Sequence, residues 1–123
     1  VFSIENSVLI NLQATDCEEE LKAAEEHFGI EIYRPKSIDM FNELDNVAAL
    51  ISQLDFVVGP NTSIISIGGA VGTRTFGLTL SKSWTCLGTD DFPWNPTMTL
   101  FYKEMSSSWK PIIDKVANII VNS

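Results

Sequence analysis

The chain has 123 residues, a size that suits one domain, and 45% of them are hydrophobic, enough for a packed core. Eight basic residues against sixteen acidic ones give a net charge of −8, with no basic stripe of the kind a nucleic-acid surface requires. No run approaches the ~20 apolar residues of a membrane span, and no basic segment leads into an apolar one at the start, so neither a span nor a signal peptide is expected. Val1 stands in place of an initiator Met and reads as a cut through a longer protein. Cys17 and Cys86 fit no metal or redox spacing and read as free thiols, which points to a cytoplasmic setting.

Elements alternate along the chain. Ser7 to Gln13 is an apolar run read as a buried strand. Asp16 is placed to cap a helix through about His27, where Leu21, Ala24 and Phe28 recur at helical spacing and Gly29 is a stop. Ile30 to Tyr33 is a second strand, ended by Pro35, and Ser37 to Asn42 is a loop. From Leu44, the residues Val47, Leu50, Ile51 and Leu54 mark one helix face.

Asp55 to Gly59 is a third strand. Pro60-Asn61-Thr62-Ser63 then turns into a small-residue helix, Ile64 to Val71, closed by Gly72. Thr73 to Leu78 is a fourth strand, Thr79 to Pro96 a long loop and Thr97 to Tyr102 a fifth strand. Trp109 or Pro111 opens the last helix, through Ile120. Such alternation implies an α/β fold: a three-layer, Rossmann-like single domain with a mostly parallel five-stranded sheet, order 2-1-3-4-5, and helices on both faces.

Parallel sheets bind ligands at the carboxyl ends of their strands, where the order reverses. The loops at Gln13 and at Asn61-Thr62-Ser63 are then expected to face one crevice. The helix start after Pro60 offers free amides and a positive dipole end, with three side-chain donors beside them. Simple N-capping explains the same residues, and both readings stay open. Gly68, Gly69 and Gly72 come too late for a dinucleotide fingerprint and read as close packing and a helix stop.

In the long loop, Trp84 and Trp94 suit stacking on a base or sugar, Lys82 suits a phosphate, and Asp90-Asp91 suit a base; a loop pinned to the surface by its own aromatics explains the same residues equally well. His27, the only histidine, reads as a surface cap, which leaves no catalytic triad. Glu18, Glu19, Glu20, Glu25 and Glu26 read as a solvated helix face. No metal and no cofactor is expected, and no catalytic residue is assigned.

The run from Leu44 to Ser63, continuing through Gly69-Ala70-Val71-Gly72, resembles one domain of a glycosyltransferase. The family is the tetratricopeptide-repeat-associated glycosyltransferases related to the lipopolysaccharide heptosyltransferases, which Leu12-Gln13 and Pro93-Trp94-Asn95-Pro96 also resemble. The resemblance implies the C-terminal, donor-binding half of a two-domain GT-B enzyme, inactive without its N-terminal domain. It implies a nucleoside diphosphate sugar as ligand, held by Gln13, Asn61, Thr62, Ser63, Ser66, Lys82 and Trp94. The sequence departs from that family at Asn61, where Asp is usual, and at Ser66, where His is usual. Those departures motivate the alternative of a non-catalytic nucleotide-binding or scaffold module. A receiver or flavodoxin-like domain ranks last, because the third strand ends in Gly59-Pro60-Asn61 and not in a phosphorylatable Asp.

Overall fold

The computed structural model describes residues 4–81, 84–89 and 92–123, without the side chain at position 85. They form two compact units, 1–47 and 48–123. The chain runs β1 (Leu9–Ile10), α1 (Glu18–Phe28), β2 (Ile32–Tyr33), α2 (Leu44–Ser52), β3 (Phe56–Pro60), α3 (Ser63–Ala70), β4 (Arg74–Thr79), a 3-10 turn (Trp84–Cys86), β5 (Met98–Tyr102) and α4 (Lys110–Val121).

The expected single five-stranded sheet is corrected to two parallel sheets, β1-β2 and β3-β4-β5. The orders 2-1 and 3-4-5 hold within them, but no ladder joins β1 to β3. A central strand of one large sheet would be buried on both faces. Leu9 and Ile10 are only half-buried and Val8 is 82% exposed, as befits a short pair. The expected seven-residue first strand shrinks to two residues, with one further bond from the Asn11 amide to the Tyr33 carbonyl.

In the first unit, α1 starts where the Asp16 carboxylate accepts from the Glu18 amide at 3.1 Å. It ends at Gly29, whose φ of 63° is left-handed backbone that glycine adopts without a Cβ penalty. Its apolar side packs Leu21 and Cys17 against Ile32, with Leu9, Ala24 and Ile30 around them.

The second unit has three layers of its own. Successive residues of a strand point to opposite faces, and β4 uses both. Phe76 joins Phe101 and Val116 in a core to which Phe56, Val58, Leu78 and three isoleucines of α4 contribute. Thr75 and Gly77 point the other way, toward α3. A Cβ at Gly68 would lie 2.6 Å from Thr75 Oγ1, and one at Gly77 would lie 3.2 Å from Ile65 Cγ2. The small residues of α3 thus set the helix directly on the strand. Register locks Val57 beside Thr75 and Thr75 beside Met98, so all three strands end on one edge, near Pro60, Thr79 and Tyr102.

Gly68→Ala tests this packing. On an exposed helix the change stabilises by about 1 kcal/mol. Here the new methyl meets Thr75, which is fully buried and held by its hydroxyl bond to the Thr73 carbonyl at 2.8 Å. Overpacking should cost about 1–3 kcal/mol, read as a lower urea midpoint; an unchanged or higher midpoint contradicts the close approach.

Candidate functional site

The segment from β3 into α3 is open to solvent. Pro60, Asn61, Thr62 and Ser63 are all exposed. The Asn61 amide donates to the Leu78 carbonyl at 3.1 Å, which ties the turn to the end of β4. The Thr62 amide donates to the Pro60 carbonyl at 2.7 Å. Thr62 is the N-cap residue in extended backbone, yet its side chain makes no cap hydrogen bond.

The first intrahelical donor is Ser66, which bonds the Thr62 carbonyl at 3.3 Å. The amides of Ser63, Ile64 and Ile65 precede it, in the positions a helix leaves without an internal acceptor. Thr62 thus leaves its cap bond unmade, as do the N-cap residues Cys17 of α1 and Trp109 of α4. Ser66 lies exposed one turn further on.

The other expected site residues fall in different parts of the chain. Trp94 precedes β5, beside Asn95, which lies against Gly69 in the last turn of α3. The aromatic expected beside Asn61 is therefore at the opposite end of the helix, some six residues or roughly 9 Å along its axis. Gln13 belongs to the first unit. Lys82, Ser83, Asp90 and Asp91 lie outside the described residues.

Trp84 is 80% exposed, and its 3-10 turn is tied to the carboxyl edge by a 3.2 Å contact between Cys86 Sγ and the Tyr102 hydroxyl. Lys103, at the same edge, is committed elsewhere: its Nζ donates to the carbonyls of Glu104, Met105 and Ser107. Both cysteines are free and buried. His27 is exposed in the last turn of α1, edge-on to Phe28.

Sequence reasoning passed over Arg34, the centre of the first unit's charge arrangement. Its Nε donates to Glu18 Oε2 at 2.9 Å, and its two terminal nitrogens grip both oxygens of Glu25 at 2.8 and 3.0 Å. Glu25 also accepts from the Ile32 amide at 2.9 Å. Glu18 and Glu25 are therefore not part of a freely solvated face, as expected for all five glutamates; Glu19, Glu20 and Glu26 are exposed. The Arg34 bonds, with the Ile32 amide, pull the Glu25 carboxyl down from 4.5 to about 2, and Glu25 in turn raises the Arg34 pKa. The Asn42 side chain and two backbone amides lower Asp39 below its ordinary value. A signal was available: an arginine at a strand end, with glutamates at i and i+7 on the preceding helix, invites such a bridge.

Among the described residues no cluster of His, Cys, Asp and Glu is grouped to hold a metal ion. No described helix is long and apolar enough to cross a membrane.

No family model matches the chain, and no solved structure matches it. It is 44% identical over 113 residues to Protein FlbA of Caulobacter vibrioides, an alignment covering 92% of this chain and 19% of that protein. The chain thus spans about a fifth of the relative's length. The expected membership of the tetratricopeptide-repeat-associated glycosyltransferases is corrected accordingly: the similarity found is to Protein FlbA, and no match carries the other assignment.

The Arg34 cluster has a pH signature. A carboxyl whose folded pKa lies below its unfolded value stabilises the fold above the unfolded pKa, and the contribution is lost as pH falls toward the folded one. With Glu25 at about 2 against 4.5, stability should decline across that interval, and Asp39 acts in the same direction. Glu25→Gln should flatten the melting temperature between pH 5 and pH 2 while lowering it at pH 7; an acid slope identical to the parent's contradicts the assignment.

Proposed function

We propose that this chain binds a nucleoside diphosphate sugar at the opening turn of α3 and serves as the donor-binding part of a sugar-transferring protein. The observation that carries the reading is the uncapped start of α3, with cap-type side chains present, exposed and not used as caps. Backbone N–H groups and the helix dipole favour an anion at such a terminus. A diphosphate is the anion whose several oxygens match several converging donors.

The chemistry then divides among the residues. The amides of Ser63, Ile64 and Ile65 take the phosphate oxygens. The side chains of Asn61 and Thr62 are placed for the ligand's hydroxyl groups. Trp84, exposed on the carboxyl edge, offers a face for a ring. Preorganised amides would also steady the charge that builds on a departing diphosphate. The net charge of −8 does not oppose this at short range, because fixed dipoles act over the first turn of the helix.

A second reading is a module that binds the same ligand without transferring it. It is favoured by the segment from Pro60 to Ser66, which contains no acid, base or imidazole. Donor hydrolysis or transfer by the full-length protein would exclude that version.

Ser63 permits a clean test, because proline is accepted at the first helical position and removes one amide there. Isothermal titration of the full-length protein with UDP-, GDP-, ADP- and TDP-sugars should give saturable heat with one base. Ser63→Pro should then weaken binding about tenfold, roughly 1.4 kcal/mol, while Ser63→Ala, which keeps the amide, stays within about threefold of the parent. Absence of heat with every donor, or equal affinity for Ser63→Pro, overturns the proposal.

A further inference from the structure

The first unit has a cavity of its own, about 270 Å³, where the chain leaves β1 and β2. These are the carboxyl ends of a parallel pair, the edge at which such sheets take ligands. The volume falls just under the ~300–1,000 Å³ of sites for drug-sized molecules, so a single ring or short chain fits.

The hydrogen-bond state of the walls selects the ligand. Asn11 Oδ1 accepts from the Gln13 amide and faces Cys17 Sγ, to which Asn11 Nδ2 also points. Asp39 has both carboxylate oxygens engaged by its own loop: Oδ1 accepts from the Phe41 and Asn42 amides, and Oδ2 accepts one bond from Asn42 Nδ2. The Glu18 and Glu25 carboxylates that neighbour the site are engaged by Arg34. A cation entering here would have to compete with these bonds for its acceptors.

Donors remain. Among the described residues the Lys36 ammonium has no ion-pair partner and the Gln13 side-chain amide no bond. Arg34 Nη2 donates once, to Glu25 Oε2, leaving its second N–H uncommitted. The bidentate grip of Glu25 fixes that guanidinium in place before any ligand arrives. Half-buried Pro35, Ile38 and Met40 line the rest.

We propose that this cavity binds a small molecule bearing one carboxylate or phosphate, with Lys36 and Gln13 holding the oxyanion and Ile38 and Met40 lying along a short apolar body. Carboxylate and phosphate share the recognition chemistry, and the experiment separates them. The site is built from first-unit residues alone and does not rest on the reading of the α3 opening.

Saturation-transfer NMR on the full-length protein would use benzoate, phenyl phosphate and uncharged benzyl alcohol as probes, with inorganic phosphate, which has no carbon-bound proton, read as a competitor that displaces them. Benzoate, phenyl phosphate or both should bind saturably, more tightly than inorganic phosphate and at least tenfold more tightly than benzyl alcohol. Lys36→Gln should weaken that binding at least tenfold, Lys36→Arg no more than threefold, and Ser63→Pro should leave it unchanged. Benzoate alone would identify a carboxylate ligand, and phenyl phosphate alone a phosphate ester. Binding of neither, binding of the alcohol to the same extent, indifference to Lys36→Gln, or loss with Ser63→Pro overturns the assignment.

Discussion

The second unit depends on how closely α3 sits on β4. A methyl group at Gly68 would meet Thr75 at 2.6 Å, and one at Gly77 would meet Leu100 of β5 at 2.5 Å and Ile65 of α3 at 3.2 Å. That contact brings the start of α3 to the carboxyl edge, where the Asn61 amide reaches the Leu78 carbonyl. A larger residue on either side would lift the helix and move its first amides away from the strand ends. The opposite face has the reverse character: Phe76, Phe101 and Val116 fill a thick aromatic and aliphatic layer beneath α4. One strand thus carries small residues toward the helix that presents backbone and large ones toward the helix that supplies core.

The first unit is held differently. Among the described residues, one buried cluster there joins Cys17, Leu21 and Ile32 with a few half-buried neighbours. Burial of a whole aliphatic side chain contributes only about 1.5–3 kcal/mol, so a cluster of this size has little to spare. Arg34 supplements it by tying the end of β2 to two turns of α1 through Glu18 and Glu25. The same bridge engages two acidic side chains beside the cavity, which lets a chain with a net charge of −8 present uncommitted donors there.

Both candidate sites follow one logic. In an acidic protein, affinity for an anion cannot come from the overall field, which points the wrong way. It has to come from donors fixed at short range: backbone amides at the start of α3, and a lysine, an amide and an anchored guanidinium in the first unit. The 3-10 turn carrying Trp84 is fastened by Cys86 and Tyr102, so that aromatic face is placed by the fold and not only by its own loop.

The sequence by itself determined the elements that rest on local periodicity and stop signals. Gly29 ends α1 in left-handed backbone, α2 follows the Val47–Ile51 spacing, and the order strand, turn, helix around Asn61 is as read. What it could not reach depends on partners far away in the chain. An apolar run such as Val8 to Leu12 looks the same whether it becomes a central strand or a two-residue bridge, because its burial is decided by which strand lies alongside. Trp84 and Trp94 looked equivalent in one loop, and only the approach of Asn95 to Gly69 assigned Trp94 to the end of α3 away from Asn61. Arg34 was unremarkable until folding placed it against Glu25. Periodicity is a property of neighbours along the backbone, whereas register, ion pairing and the sharing of an edge are settled by contacts that only the folded chain makes.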